Sequence, residues 1–424
     1  MLYYERGGEN EKITHEELKQ GLFEALDGIG KRKKVIAVPP DITRFHSKAG
    51  VLTEQAHQYY GDVLTDILPA LGTHSPMTEK EIETMFGSTP KELFRVHDWQ
   101  NELATLGTVP ASVIKELSEG KLDFQWPAQV NERLVRNGYD LILSIGQVVP
   151  HEVIGMANHN KNIFVGTGGT EGINKSHFLG AVYNMERIMG RIKTPVRDLM
   201  NYASDHFGGG LPVVYVLTVV AQEEDGSVAV KGLYIGDDTE CYEKAAALAQ
   251  KVNMTPLDEP LKKVVVYLDP GEFRSTWLGN KAIYRTRMAL ADGGELVVLA
   301  PGVKEFGENN TIDPLIRKYG YIGTEGVLEA VKENRDLADN LGTAAHLIHG
   351  SSEGRFSITY CPGGLSREEV ERVNFAYADL DLMMNKYDPQ SLRDGWNTLP
   401  DGEQFYFIKN PALGLWYERS KFKE

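Results

Sequence analysis

The sequence predicts an α/β fold of two domains with mostly parallel sheets flanked by helices, and three observations support it. Short apolar runs rich in β-branched residues recur along the 424 residues and end at Pro, Gly or Asp. Amphipathic helical patterns lie between these runs, as in βαβ units whose strands are parallel and covered on both faces. The chain is longer than a single hydrophobic core usually accommodates, so we expect two domains.

The predicted elements follow from these patterns in chain order. The predicted strands are KKVIAVPPD, FRVHDWQN, YDLILSIGQVVP, NIFVGTGG, LPVVYVLTVV, KKVVVYLDPG, ELVVLAPG and FSITYCPGG. Helical spacing of apolar residues predicts helices in HEELKQGLFEALDG, GVLTEQAHQYYGDVLTDILPAL and AIYRTRMALADGG. Thr78 and Glu81 form a capping-box pattern that begins a further helix.

A domain boundary is predicted near residue 258. The acidic segment DDTECYEKAAALAQKVNMTPLDEPLKK has no strand pattern and ends in a Pro-containing turn before a strand opens at Val264. We therefore expect domains at 1–258 and 259–424, with an active site in the cleft between them.

Composition and charge exclude several classes of protein. The formal net charge of −15 disfavours nucleic acid or an anionic membrane as the main partner, since both require a basic surface. The two cysteines, Cys241 and Cys361, are far apart and lack metal-type spacing, which fits a reducing compartment. No signal segment or membrane-length apolar run is visible, so we expect a cytoplasmic protein.

Polar residues with possible chemical roles follow the predicted strands. Residues 41–44 come after the first strand, where backbone N–H groups, a hydroxyl and a guanidinium can converge on an anion; a capping Asp with a solvated Arg fits equally. His74 lies on a Gly-Thr turn, where an exposed turn histidine is the alternative. His151 follows Pro150 at a strand end, a place where a general base is accessible.

Three further candidate residues, Lys161, His177 and Lys281, follow later in the chain. Lys161 comes ten residues after His151, and His177 sixteen residues after Lys161. A single histidine without a nearby second ligand is a weak metal signal. Lys281 precedes a predicted helix in the second half, where a solvated lysine is also common.

Taken together, these spacings resemble the lactate racemase family. The matching features are PDITR, LGTH, the spaced His, Lys and His, and a later lysine before ADGGELVVLAPG, so the resemblance covers nearly the whole chain. It implies an isomerase that racemises a 2-hydroxyacid or epimerises it at C2. It also implies a nickel-pincer nucleotide, nickel pyridinium-3,5-bisthiocarboxylic acid mononucleotide, as cofactor.

The resemblance implies a role for each candidate residue. Lys161 would bear the pincer ring through a thioamide, and His177 would be the protein ligand of the nickel. His74 and His151 would be paired catalytic acid/bases. Lys281 would bind substrate from the second domain. The residues implied to contact the cofactor nucleotide are Asp41, Ile42, Thr43 and Arg44.

The chemistry explains why these residue types are needed. The α-hydrogen beside an anionic carboxylate is very weakly acidic, so its removal as hydride by the cofactor is the better route. One histidine would take the hydroxyl proton, and histidines on opposite faces would serve both enantiomers. Arg44 and Lys281 would hold the substrate carboxylate. In this interpretation residues 1–258 bind the cofactor and carry catalysis, and residues 259–424 add substrate contacts.

Some positions depart from the lactate-type pattern of the family. The residues NHN precede Lys161 where Gly-Gly-Arg is usual, and this adds His159 as a polar group near the cofactor. Glu152 and Val153 replace two aromatics, and Leu278 replaces a polar residue. An aromatic wall of the pocket is also replaced within DNLGTAAHLIHG. A more polar pocket favours a longer, hydroxylated acid such as an aldonate.

Two other functions remain open at this point. The chain could be a catalytically inactive family member that binds a nucleotide or metal. An NAD-dependent dehydrogenase would need a Gly-rich fingerprint after the first strand, which VPPDITRFHS lacks. The expected partners are a small-molecule 2-hydroxyacid and the enzymes that synthesise the cofactor, with no nucleic acid and no membrane.

Overall fold

A computed structural model describes residues 1–223, 226–412 and 414–422. The chain forms two compact units, one of Met1–Leu179 with Met189–Asn253 and the other of Gly180–Ile188 with Met254–Glu424. The functional limits of 1–258 and 259–424 and the cleft between them stay predictions. The compact units differ from those limits in residues 180–188 and 254–258.

The first unit is built around a six-stranded sheet. The strands of this unit, six of which form the main sheet, are β1 (Leu2–Gly7), β2 (Val35–Val38), β3 (Leu64–Ile67), β4 (Leu103–Val109), β5 (Trp126–Asn131), β6 (Leu141–Gln147), β7 (Pro150–His151), β8 (Gly155–Met156), β9 (Val213–Gln222) and β10 (Val228–Gly236). Its helices are α1 (His15–Ile29), α2 (Ala49–Tyr60), α3 (Glu79–Phe86), α4 (Ala111–Leu117), α5 (Arg133–Arg136), α6 (Asn160–Phe164), α7 (Thr170–Tyr183, whose last residues belong to the second unit), α8 (Pro195–Phe207) and α9 (Thr239–Asn253).

Parallel pairing in this sheet brings several strand ends to one edge. The strand order is β1-β10-β9-β6-β2-β3, and β9, β6, β2 and β3 run parallel. The apolar residues of β2 and β6 pack against α1 and α2 in one continuous core. Because the carboxyl ends of β2, β3 and β6 meet at the same edge, the loops that follow them converge there.

The second unit has the same architecture with different strands. The strands are β11 (Met254–Leu257), β12 (Leu261–Tyr267), β13 (Leu290–Ala300), β14 (Ser357–Pro362), β15 (Ala376–Tyr377), β16 (Gly395–Thr398), β17 (Gln404–Ile408) and β18 (Leu415–Glu418). The helices are α10 (Thr276–Gly279), α11 (Lys281–Thr286), α12 (Ile312–Tyr319), α13 (Gly323–Glu333), α14 (Arg335–Ala338), α15 (Leu341–His349), α16 (Arg367–Arg372) and α17 (Leu380–Lys386). Its main sheet, in the order β15-β14-β13-β12-β17-β16, is parallel except for β16.

The predicted fold class is confirmed, because both main sheets are mostly parallel and flanked by helices. The capping box is also present: the Thr78 hydroxyl accepts from the backbone N–H of Glu81, whose carboxylate accepts from that of Thr78. Within the described part of the chain, no helix combines the length and apolarity needed to cross a membrane. A cytoplasmic location stays a prediction.

Two predicted strands are wrong. NIFVGTGG is mostly helix α6 and the turn after it, because a short apolar run reads the same for a buried strand and a buried helix. FRVHDWQN is irregular, and only Phe94 bridges to Ile67.

Two predicted helices are too long, and a segment expected to lack strands contains one. Helix α2 ends at Tyr60 because Gly61 adopts a φ of 54°, and β3 follows within the predicted helix. Helix α11 ends at Thr286, where β13 soon begins. The segment expected to lack strands contains β11, which pairs with β18, and the next strand opens at Leu261 before Val264. These short elements depend on distant partners that local patterns do not reveal.

Candidate active site

The loops after β2 and β3 meet through a carboxylate and an imidazole. The backbone N–H of Thr43 donates to Asp41 Oδ1 at 3.1 Å, and the Thr43 hydroxyl also donates to it. His74 Nδ1 lies 2.6 Å from Asp41 Oδ2. Burial alone would raise the Asp41 pKa, but the contacts with His74 and Thr43 hold it below its usual value. The ionised carboxylate therefore accepts the Nδ1 proton of His74, which leaves Nε2 as the atom that can exchange a proton.

The other predicted residues of this first loop have distinct surroundings. Asp41 caps a 3-10 segment, Ile42–Ser47, whose first side chain, Ile42, packs against the core. Thr43 is exposed, and Arg44 is partly buried with non-helical backbone angles. Ile42 can therefore offer a polar ligand its backbone but not its side chain. Thr43 and Arg44 can offer both.

His151 is buried in the short hairpin of β7 and β8 that follows β6. Its Nδ1 accepts a hydrogen bond from the Val153 backbone N–H at 3.1 Å. Burial lowers its pKa well below the usual value; Lys161, Arg44 and His177 lower it further, and Glu152 opposes them. The ring is therefore neutral at pH 7, with its proton on Nε2 in this arrangement.

Lys161 lies in the first turn of α6, and Asn162 fixes that helix to the sheet edge. The side-chain amide of Asn162 donates to the Val38 carbonyl at 2.9 Å and to the Ser144 hydroxyl at 3.0 Å. Loss of solvation lowers the Lys161 pKa to about 8, with a further lowering by Arg44. At this pKa roughly a tenth of the amine is uncharged and nucleophilic at pH 7, far more than for an ordinary lysine.

A buried arginine holds the loop before Lys161. Arg197 is 2% exposed and donates to the carbonyls of Met156 at 2.7 Å and Asn158 at 3.2 Å. Its guanidinium lies 4.1 Å from the centre of the Tyr242 ring. Gly146 leaves room for this loop, because a Cβ there would lie 2.1 Å from the Asn158 side-chain nitrogen. Sequence reasoning missed Arg197 and Gly146, which carry no local signal.

His159, which the sequence suggests as a polar group near a cofactor, packs among aromatic side chains. Its buried ring packs 3.9 Å from the Tyr215 ring and 5.3 Å from the Tyr242 ring, between centroids. Its Nε2 lies 3.2 Å from the Asp238 carbonyl oxygen. These contacts give His159 a packing role in the loop, and its place near a cofactor stays a prediction.

His177 lies on α7, one helix beyond Lys161. Its Nδ1 donates to the Ile173 carbonyl at 2.7 Å, which leaves Nε2 as the coordinating atom. Loss of solvation, reinforced by Lys161, lowers its pKa to about 4. The imidazole is therefore neutral at pH 7, which is the form that binds metals.

The turn between α6 and α7 is held by contacts that local sequence does not indicate. A Cβ at Gly168 would lie 2.0 Å from the Phe164 carbonyl oxygen, so glycine allows the chain to fold back on α6. His97 Nε2 donates to the Gly168 carbonyl at 3.0 Å, and the Asn131 amide donates to His97 Nδ1 at 3.1 Å. The interpretation of His97 as part of a strand missed this role.

The structure brings these predicted residues into two linked groups. Arg44, Lys161 and His177 each shift the pKa of His151, so the four residues form one electrostatic cluster. The second group is Asp41 with His74. The loop that carries His74 contacts the turn after Lys161, where the Gly72 N–H donates to the Gly166 carbonyl at 2.8 Å.

Lys281 belongs to the second unit and begins α11. Its Nζ lies 5.5 Å from the centre of the Phe273 ring. In the same unit the rings of Trp277 and His346 stack with centroids 4.5 Å apart, and His346 Nε2 lies 3.0 Å from the Tyr321 hydroxyl. His346 and His349 are the two aromatic side chains in the stretch DNLGTAAHLIHG.

The described residues contain no group of three or more His, Cys, Asp or Glu side chains that could hold a metal ion. A metal centre made only from protein ligands therefore does not fit this part of the chain. A neutral His177 beside a weakly basic Lys161 instead fits an ion whose other ligands come from an organic group bound at the lysine.

Comparison with known proteins gives a family match for most of the first unit. Residues 9–190, which include His74, His151, Lys161 and His177, match the family model of the lactate racemase N-terminal domain. This part of the chain is similar to the N-terminal domain of lactate racemases. The match supports a racemase-type function in general terms, and no curated protein matches the chain.

Two solved structures extend the likeness over the whole chain. One is a protein from Thermotoga maritima, 26% identical, with a TM-score of 0.81 over 97% of this chain and 99% of that one. The other is the lactate racemase apoprotein from Thermoanaerobacterium thermosaccharolyticum, 16% identical, with a TM-score of 0.73 over 99% of this chain and 94% of that one. At this identity the second likeness concerns the fold alone.

Proposed function

We propose that the protein racemises a 2-hydroxyacid, or epimerises it at C2, with a nickel-pincer nucleotide attached to Lys161. The main support is the first unit's cluster, where a lysine with a pKa of about 8 accompanies two neutral imidazoles. Ordinary surface lysines and histidines do not share such an environment.

Three parts of this cluster would hold the cofactor. The uncharged amine of Lys161 would form the thioamide link, and Nε2 of His177 would coordinate nickel. The loop of Asp41, Ile42, Thr43 and Arg44 would contact the nucleotide. When bound, the cofactor supplies a reversible acceptor for the substrate's α-hydrogen as hydride.

The protein's own residues would handle the hydroxyl proton and the carboxylate. Nε2 of His74 is suited to take and return the proton, since Asp41 holds the ring through Nδ1. His151 would perform the same task on the opposite face. Arg44 would bind the substrate carboxylate, with Lys281 contributing from the second unit.

The substrate that we propose is a hydroxylated acid longer than lactate, such as an aldonate. Glu152, Val153 and Leu278 stand where lactate-type members have aromatic or polar groups, which makes the pocket composition different.

Mass analysis tests the cofactor part of this proposal. The protein would be produced with the cofactor-biosynthesis enzymes, its expected partners, and the mass of the peptide containing Lys161 measured. We expect a covalent adduct at Lys161 that disappears in Lys161→Arg and persists in the control Lys175→Arg. An unmodified Lys161 under these conditions would contradict the proposal.

Turnover is then tested on the loaded protein. Lactate, malate and gluconate would be compared for inversion at C2, with gluconate expected to react best. His74→Ala and His151→Ala should each abolish inversion while the adduct remains. A loaded protein that inverts none of a broad panel would instead be a cofactor-binding member without catalysis.

A further inference from the structure

Each candidate acid/base has a carboxylate near its Nδ1 atom. In His74 this carboxylate belongs to Asp41, and in His151 it belongs to Glu152. Glu152 Oε2 lies 3.7 Å from His151 Nδ1, whereas Asp41 Oδ2 lies 2.6 Å from His74 Nδ1. The first pair is outside hydrogen-bond range and the second is within it. The two candidate acid/bases thus have matching carboxylates, one engaged and one displaced by about 1 Å.

The backbone explains why Glu152 is displaced. The Val153 N–H already donates to His151 Nδ1, so this nitrogen presents its lone pair and cannot carry a proton there. A neutral ring held in this way has its proton on Nε2 and can only donate from that atom. To accept a proton at Nε2, the ring must instead carry a proton on Nδ1, and that proton needs an acceptor.

The neighbouring charged groups leave one residue for this task. The groups whose charge acts on His151 are Glu152, Lys161, Arg44 and His177. Glu152 is the carboxylate among them, and it also acts on Lys161 and His177. A small movement of its partly exposed side chain would bring it within reach of Nδ1.

We propose that Glu152 is a positioning residue that selects the Nδ1-protonated form of His151 and stabilises the doubly protonated ring. His151 then alternates between two arrangements. With Nδ1 bound to the Val153 N–H it donates from Nε2, and with Nδ1–H bound to Glu152 it accepts at Nε2. This role rests on the proposed function for its catalytic meaning, but the pairing itself is a property of the free protein.

NMR of the cofactor-free protein labelled in its histidines tests the pairing. The His151 ring nitrogens would be assigned from the signals lost in His151→Gln and followed against pH. In Glu152→Gln we expect the Nδ1-protonated population to fall at least tenfold and the ring to gain its second proton at lower pH. Glu152→Asp should restore part of the effect, and the control Glu171→Gln should leave it unchanged.

The outcomes separate this inference from the proposed function. Identical His151 signals in the wild type, Glu152→Gln and Glu152→Asp would overturn the pairing, even if the loaded enzyme is active. In loaded enzyme we expect Glu152→Gln to lower kcat more than tenfold and to alter its pH profile, with KM little changed. Absence of any turnover in the wild type would count against the proposed function and leave the NMR result standing. Thermal unfolding of each variant would confirm that it is folded.

Discussion

His74 and His151 both follow parallel strands of one sheet, yet their surroundings are opposite. The His74 side chain is 60% exposed and its Nδ1 contacts the buried carboxylate of Asp41. The His151 side chain is 8% exposed and its Nδ1 accepts from a backbone N–H. The sheet edge therefore supplies positions of two kinds, one with an exposed imidazole bound to a carboxylate and one within a desolvated cluster.

This difference shows how one fold can prepare two imidazoles for complementary tasks. A ring whose Nδ1–H is bound to a carboxylate is ready to accept a proton at Nε2. A neutral buried ring with an Nδ1 acceptor is ready to donate from Nε2. If both flank one substrate, as proposed, each enantiomer would meet a different ring first.

The largest effect is expected from Asp41→Asn, which removes the carboxylate bound to His74 Nδ1. Loss of the charge should leave His74 misoriented and lower kcat of the loaded enzyme by roughly a hundredfold or more, as for other general bases. Steady-state rates in both directions measure this, with Asp27→Asn as the control because Asp27 bonds Tyr59 on the exposed surface. Full turnover in Asp41→Asn would mean that the pair has no part in catalysis.

Lys161→Met tests the desolvation of Lys161 through the pH dependence of the free energy of unfolding. The folded-state pKa of Lys161 is about 8, below its ordinary value of 10.5. Between these values the unfolded chain binds more protons than the folded one, so stability rises with pH through this window. The free energy of unfolding of the cofactor-free wild type should rise by on the order of 2–3 kcal/mol from pH 8 to 10.5 through this lysine.

Lys161→Met should lack this contribution, and Lys175→Met should retain it. Denaturant unfolding at several pH values provides the measurement. If the free energy of unfolding changes with pH in the same way in the wild type and in Lys161→Met, Lys161 is not desolvated. The surroundings of His74 and of the His151 cluster would then be more alike than the structure indicates.

Gly146→Ala tests how tightly the loop before Lys161 is packed. The added Cβ would lie 2.1 Å from the Asn158 side-chain nitrogen, so the loop must shift at a cost of about 1–3 kcal/mol in the free energy of unfolding. In Gly28→Ala the nearest atom is 3.9 Å away, within helix α1, and this variant should be slightly stabilised. Equal stability of the two variants in denaturant unfolding would show that the loop is loose.

The smallest effect is expected from His97→Gln, at the turn between Lys161 and His177. The amide retains a donor for the Gly168 carbonyl, so the free energy of unfolding should fall by only about 1 kcal/mol. His97→Leu leaves that carbonyl without its partner and should lose more. Thermal unfolding of the pair compares them, and identical losses would contradict a hydrogen-bonding role for His97.

Much of the candidate site follows from patterns along the chain. Positions after strand ends singled out Asp41, His74 and His151, and the spacing of Lys161 and His177 added the rest. Their partners were not predictable: the His74 contact with Asp41 crosses 33 positions, and the Arg197 bond to Asn158 crosses 39. The apolar patterns of β2 and β6 indicated strands correctly, whereas α6 and β3 were missed because a few apolar residues fit either conformation.

The sequence by itself determined the α/β class, the order of the main elements and the residue types at the sheet edge, since these depend on local periodicity and strand-end chemistry. Only the tertiary structure decided the state of each side chain. Desolvation makes Lys161 weakly basic and keeps His151 and His177 neutral, and these effects depend on neighbours that the chain brings together only by folding.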